Sequence, residues 1–174
     1  MNSPSDPRLI PYQQPQPQAM RPDMVVADAM GTKDPRVWVP LSEHVAVRPL
    51  QFNVTAGQYT HVLRTTRAGM IARHRHSGGV HAWVFKGRWH YLEHDWIAEE
   101  GSYIWEPPGE THTLVVPDGC TEMVTLFQVN GSLMYVDPQG ASTGYDDVFT
   151  RLEKARAHYA AVGLGATFAD QFIR

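Results

Sequence analysis

Between about residues 45 and 136, apolar and polar positions alternate in short runs separated by turn residues, the pattern of β-strands with one buried face. The runs are FNVT (52 to 55), QYTHVLRTT (58 to 66), MIARHRH (70 to 76), VHAWVF (80 to 85), RWHYLEH (88 to 94), YIWE (103 to 106), THTLVV (111 to 116), EMVTLFQV (122 to 129) and SLMYV (132 to 136). Glycine-containing breaks separate them, among them Lys86-Gly87, Pro107-Pro108-Gly109 and Asn130-Gly131, the last a strong signal for a two-residue hairpin. Beyond residue 145 the period changes. Val148, Phe149, Leu152, Ala155, Tyr159 and Val162 recur at helical spacing, with Asp146 and Asp147 suited to a first turn and Gly163 to a stop, which predicts one helix over about 146–162 packed against the strands. Residues 1–40 follow neither period and hold eight of the thirteen prolines, so they read as an extended Pro-rich arm, with Met24, Val25, Val26 and Trp38 as apolar anchors. Residues 41–174 read as a single all-β domain, a sandwich or barrel, closed by the helix.

Length and charge narrow the class. A chain of 174 residues is the usual size of one domain, and a net charge of -3 offers no electrostatic case for a phosphate backbone, so no nucleic-acid partner is expected. No stretch approaches the roughly 20 apolar residues of a membrane span, and the first residues lack a leader pattern, so a cytoplasmic protein without a membrane partner is expected. The single cysteine, Cys120, follows Pro117, Asp118 and Gly119 at a turn and reads as structural.

The candidate chemistry lies in the histidines. Six of the nine (74, 76, 81, 90, 94, 112) fall between residues 74 and 112. His74 and His76, one residue apart on a strand, project from the same face, and a later strand carrying His112 can lie beside them in an antiparallel sheet. Three imidazoles on rigid strands suit Fe, Mn, Ni, Cu or Zn. Glu106, just before the Pro-Pro-Gly turn that leads to His112, is the candidate pocket carboxylate and proton acceptor. Glu93 is a second, because pairing through Lys86-Gly87 as a hairpin would set it across from Val80. Aromatic residues of the same runs, with Tyr91 and Trp105 foremost, are candidates to line a substrate pocket.

The glycines and prolines framing these histidines resemble the two motifs of the cupin superfamily. The second motif, Gly, five residues, Pro, one residue, Gly, two residues, His, is met by Gly101, Pro107, Gly109 and His112, while its final Asn is replaced by Val116. The first is met by Gly69, His74, His76 and Gly87, with the opening interval one residue short, and its Glu is replaced by His81. The resemblance implies a double-stranded β-helix, or jelly roll. His81 would be either a fourth ligand, a substrate contact beside a three-His site, or an ordinary barrel residue.

WHYLEHDW (89 to 96), WEPPGETHTLVV (105 to 116) and YDDVFTRLEKARAHY (145 to 159) further resemble the 2,4'-dihydroxyacetophenone dioxygenases and the similar acetylacetone dioxygenases, Fe(II) cupins that cleave a C–C bond with O₂. What this implies is a site of His74, His76 and His112 holding Fe(II), with Zn or Ni able to take its place in purified protein. It also implies a carboxylate at Glu106 outside the ligands, an aromatic hydroxyketone or β-diketone substrate with O₂, and a homodimer or homotetramer. A zinc-binding regulatory cupin of the ChrR type and a metal-dependent isomerase or lyase are the alternatives.

Overall fold

The computed structural model describes residues 6–174; the first five positions of the predicted arm lie outside the described residues. In chain order the strands are β1 (Val39–Pro40), β2 (Val45–Asn53), β3 (Gln58–Thr65), β4 (Gly69–His76), β5 (Val80–Lys86), β6 (Arg88–Tyr91), β7 (Ala98–Glu99), β8 (Tyr103–Glu106), β9 (Thr111–Val116), β10 (Met123–Asn130), β11 (Leu133–Val136) and β12 (Ser142–Asp146), followed by helix α1 (Val148–Ala161). They form two six-stranded sheets, ordered β1-β2-β3-β10-β5-β8 and β12-β11-β4-β9-β6-β7. All pairings between them are antiparallel. The result is the expected jelly roll of two sheets, rather than a closed barrel.

Alternation within each strand puts one face between the sheets. Val80, Ala82 and Val84 of β5 are buried while Trp83 and Phe85 are exposed, and Phe52, Tyr59, Trp89, Tyr91, Met123 and Phe127 join them in one core. Trp89 is fully enclosed, and its indole N–H donates to Thr125 Oγ1 at 3.1 Å, the partner a buried indole requires.

Two turns behave differently from the sequence expectation. Lys86-Gly87 and Asn130-Gly131 do not close hairpins; each carries the chain from one sheet to the other. The reason is the same for both. β5 already has β10 and β8 on its two edges, and β10 has β3 and β5, so neither has an edge free for the strand that follows it in sequence. Turn chemistry sets where the chain bends, but packing of the sheets sets what the next strand pairs with. The run 52 to 55 is the end of a longer β2, which crosses Pro49 with a register shift between Pro49 and Gln51.

In the arm, Val37 and Trp38 are buried on the outer face of the first sheet against Leu50, Val62 and Val124, with Val26 packed beside them, while Val25 is exposed. The Arg64 guanidinium lies 4.3 Å from the Trp38 ring centroid. Cys120 is buried, and its thiol donates to the carbonyl of Glu122 at 3.3 Å.

α1 begins at a capping box. Asp147 accepts from Thr150 N at 2.8 Å and Thr150 Oγ1 accepts from Asp147 N at 2.8 Å. The helix buries Val148, Leu152, Ala155 and Tyr159, and Tyr159 donates to the carbonyl of Val37 at 3.1 Å. Phe149, on the predicted stripe, is exposed, and Arg151 is buried in its stead. Asp147→Ala is expected to destabilise the fold by about 1 kcal/mol, read as a lowered urea midpoint at unchanged slope.

Among the described residues no helix is long and apolar enough to cross a membrane.

Candidate metal centre

His74 and His76 end β4 with both rings turned inward and Arg75 between them outward, as the strand period requires. β9 pairs with β4 so that His112 stands directly opposite His74. The ring centroids are 4.9 Å apart for His74 and His112, 5.0 Å for His76 and His112, and 6.1 Å for His74 and His76. The turn before β9 is tied to β4 as well: Gly109, at φ 89°, donates its N–H to the carbonyl of His76 at 2.9 Å. A side chain in that left-handed conformation would be strained, which explains the glycine of the motif.

His76 Nδ1 and the carbonyl of Gly78 lie 2.8 Å apart. A carbonyl can only accept, so Nδ1 carries the proton and Nε2 is left with its lone pair facing the cluster. Gly78 has no room for a side chain, since a Cβ there would stand 2.3 Å from the carbonyl oxygen of Asn130.

Glu106 enters from the other sheet. It pairs with Val80, shares the inward face, and is almost fully buried. Its Oε2 is 3.2 Å from His76 Nε2 and 3.6 Å from His112 Nε2, and its Oε1 accepts from the Tyr91 hydroxyl at 2.8 Å. The Tyr91 ring lies parallel to that of His112 with centroids 3.5 Å apart. Donor atoms of His76, Glu106 and His112 all fall within 4.8 Å of one another. The Glu106 carboxylate thus stands close to the imidazole nitrogens.

Electrostatics match this arrangement. Burial, reinforced by the neighbouring imidazoles, pushes His74 down to about 4 and His112 down to about 2, so both are neutral at ordinary pH. Burial acts on His76 in the same sense, but the Glu106 carboxylate and the Gly78 carbonyl outweigh it and raise His76 above its usual value. Burial, together with Glu106, holds the Tyr91 phenol well above its ordinary value, so it remains a donor.

His74 Nδ1, His76 Nε2 and both nitrogens of His112 are buried without a hydrogen-bond partner among the described residues. Orphaned polar atoms of this kind are rare in a folded interior. Imidazole nitrogens with one carboxylate oxygen form a donor set suited to a divalent transition ion, so the residues fit one and could hold it. His74, Tyr91 and Glu106 also form part of the wall of a cavity of about 630 Å³ between the sheets, whose middle is walled by apolar residues such as Leu63, Ile71, Leu114 and Phe127.

Three other candidates lie away from this cluster. His81 and Trp105 are paired across β5 and β8 on the outward face, where the His81 ring packs beside the mutually adjacent rings of Trp83 and Tyr103 and hydrogen bonds the Tyr103 hydroxyl at 2.8 Å. Trp105 is 56% exposed. Both follow from strand parity, since Val80 and Glu106 take the inward positions and their neighbours must turn out. His81 is thus neither a fourth ligand nor a pocket residue. Glu93 does not face Val80, because β6 pairs with β9 and β7; it accepts instead from Thr113 N at 2.7 Å and Thr113 Oγ1 at 2.9 Å, clamping the strand that carries His112. Of the four expected substrate contacts, Tyr91 alone reaches the cavity.

Sequence reasoning missed the far end of that cavity, where Arg151, Lys154, Asp146, Tyr135 and His61 form the wall. A signal for Arg151 was present. It stands three residues after Val148 and four before Ala155, on the stripe the helix buries.

With fold and cluster described, likeness to known proteins can be placed. The family model for the ChrR cupin-like domain matches residues 26–131. The chain belongs to this cupin family. The match spans the strands carrying His74, His76, Glu106 and His112 and begins within the Pro-rich segment. No curated protein matches this cupin. Among solved structures, it is similar to an RmlC-like cupin from Ralstonia eutropha JMP134, with a TM-score of 0.69 and 26% identity over 72% of this chain and 83% of that one. A second cupin-like protein from that organism gives 0.67 and 20% over 70% and 76%. An acetylacetone dioxygenase from Acinetobacter johnsonii gives 0.65 and 16% over 86% and 99%, a likeness of fold.

Proposed function

We propose that this cupin is an Fe(II)-dependent dioxygenase that cleaves a C–C bond of a hydroxyketone or β-diketone. One observation carries the reading: the cluster of unpartnered imidazoles and Glu106 borders a largely apolar cavity of about 630 Å³, within the usual range for small-molecule sites. A structural metal site is closed around its ion, whereas a catalytic one keeps positions open to a substrate. The fold shared with an acetylacetone dioxygenase is in keeping with it.

In this reading His74, His76 and His112 would hold the ion, with Glu106 beside them. When bound, Fe(II) supplies Lewis acidity toward the two oxygens of the enolised ketone and a redox partner for O₂. Glu106, whose Oε2 faces His76 and His112, would take the proton released on enolisation. Its other oxygen stays on the Tyr91 hydroxyl, which keeps the carboxylate aimed at the cluster. The apolar walls exclude water from the enolate. For a hydroxyketone RCOCH₂OH, cleavage with one O₂ gives RCOOH and formic acid.

A zinc-binding regulatory cupin, in which the ion is structural, is the second reading, in keeping with the match to the ChrR cupin-like family. Protein loaded anaerobically with Fe(II) and mixed with 2,4'-dihydroxyacetophenone and simple β-diketones separates the two. Oxygen uptake with matching carboxylic acid release is expected; no uptake across the panel, together with tight zinc retention, would sink the dioxygenase reading.

A further inference from the structure

One more histidine borders the cavity, on a strand that carries none of the metal cluster. His61 lies on β3, opposite Phe127 of β10 and Pro49 of β2, and turns inward between the sheets. It is 5% exposed and forms part of the wall of the cavity of about 630 Å³. Among the described residues no group hydrogen bonds either ring nitrogen, and neither nitrogen is sealed into the packing as those of His112 are, so both keep accessible surface. The ring also borders a recess of about 10 Å³ beside Tyr59, which has room for little more than one water. A ligand therefore meets this imidazole from the main cavity.

Stability does not account for the residue. Its ring lies nearly parallel to that of Tyr59, with centroids 5.6 Å apart, and 6.1 Å from that of Phe127. A phenylalanine would stack there as well and would bring no unpaired polar atoms into an apolar wall. The imidazole is also uncharged, because burial and the positive charge of Arg151 hold it down to about 3. Nearby charge is settled within the protein: Asp146 lies 3.1 Å from the buried Arg151 guanidinium, and the Lys154 side chain is half exposed to solvent. No buried charge is left over here to call for a charged ligand.

We propose that His61 is the polar anchor of the cavity and hydrogen bonds an uncharged hydroxyl of the ligand, which makes it a specificity-determining residue. A neutral imidazole offers one donor and one acceptor, and no partner fixes which nitrogen carries the proton. A hydroxyl both donates and accepts, so it pairs with either nitrogen, whereas a carboxylate would enter an apolar cavity with only a neutral donor to meet its charge. Combined with the function proposed above, on which this half of the statement rests, the substrate is a hydroxyketone or β-diketone whose remaining part carries an uncharged hydroxyl.

Two probes of equal size test the idea on metal-free protein by ligand-detected NMR titration: 4-ethylphenol and 4-ethyltoluene, which differ in a hydroxyl against a methyl. The difference in their own hydration cancels when the ratio of their affinities is compared between proteins. That ratio is expected to favour the phenol about 3- to 10-fold more in wild type than in His61→Phe, the range for a neutral hydrogen bond, and His61→Gln should restore part of it. In ¹⁵N-labelled wild type, the ring nitrogens of His61, assigned through contact with Tyr59 and Phe127, should shift with the phenol and not with the toluene. An unchanged ratio in His61→Phe overturns the proposal, as does a wild type that does not bind the phenol; if the variants do not fold, the ¹⁵N shifts decide. Because no metal is present, a positive result upholds the hydroxyl site even where no ketone is cleaved, and a negative one overturns it even where ketones are turned over.

Discussion

His76→Ala is expected to abolish stoichiometric metal binding while leaving a folded domain, measured by metal analysis after dialysis alongside far-UV circular dichroism. Three features single this histidine out. It is fully buried, its tautomer is set by the Gly78 carbonyl so that Nε2 faces the cluster, and that atom lies 3.2 Å from Glu106. A ligand so oriented contributes more than a freely rotating one, and its loss also leaves Glu106 without its nearest cation or metal partner. The domain persists because its main core, around Trp89, Tyr59, Phe52 and Met123, does not depend on the imidazole. Metal retained at full stoichiometry in the variant would refute the assignment, and an unfolded variant would show that the scaffold is not independent of the cluster.

The second large effect is a loss of stability in acid that His61→Phe relieves. His61 is buried between Tyr59 and Phe127, and burial, helped by the charge of Arg151, pushes it down to about 3 from 6.5. The unfolded chain therefore takes up this proton first as the pH falls. The stabilisation is complete above pH 6.5 and declines from there toward pH 3, since below 6.5 each unit favours the unfolded state. Between pH 7 and 4 metal-free wild type should lose roughly 3 kcal/mol more than His61→Phe, at about 1.4 kcal/mol for each pH unit below 6.5. The buried His74 and His112 act in the same sense but are common to both proteins, so they cancel. Urea midpoints across this range provide the measurement, and parallel slopes for the two proteins would overturn the account.

Much of this architecture is written locally. Strands β8 and β9 begin and end where the alternation of YIWE and THTLVV begins and ends, and Asp147 caps the helix where the period changes. His74 and His76 share a face because a strand has a period of two, and the Gly101 to His112 spacing places the third imidazole at the head of the next long strand. What was not legible depends on partners rather than on spacing. Whether His81 or Val80 turns inward hinges on a single residue of parity, and nothing near His81 in sequence reveals that Glu106 takes the inward place beside Val80. A carboxylate does stand beside the histidines, on the strand paired with β5 rather than within the first motif. Glu93 was misplaced by a hairpin that cannot form when both edges of β5 are occupied. Arg151 was overlooked because a charged residue on an apolar stripe reads as a solvated interruption until the cavity beyond it is visible.

The pairing of β4 with β9, and of β3 with β10, joins segments far apart along the chain. Such contacts carry a large loop-closure cost, so the imidazoles of β4 and β9 and Glu106 of β8 are expected to come together late in folding. An ion that needs all of these groups would find at most the neighbouring pair His74 and His76 in the early collapsed chain, and is expected to do little to hasten folding. Its influence would then fall on the rate of escape from the native state, as a kinetic lock on a fold already made.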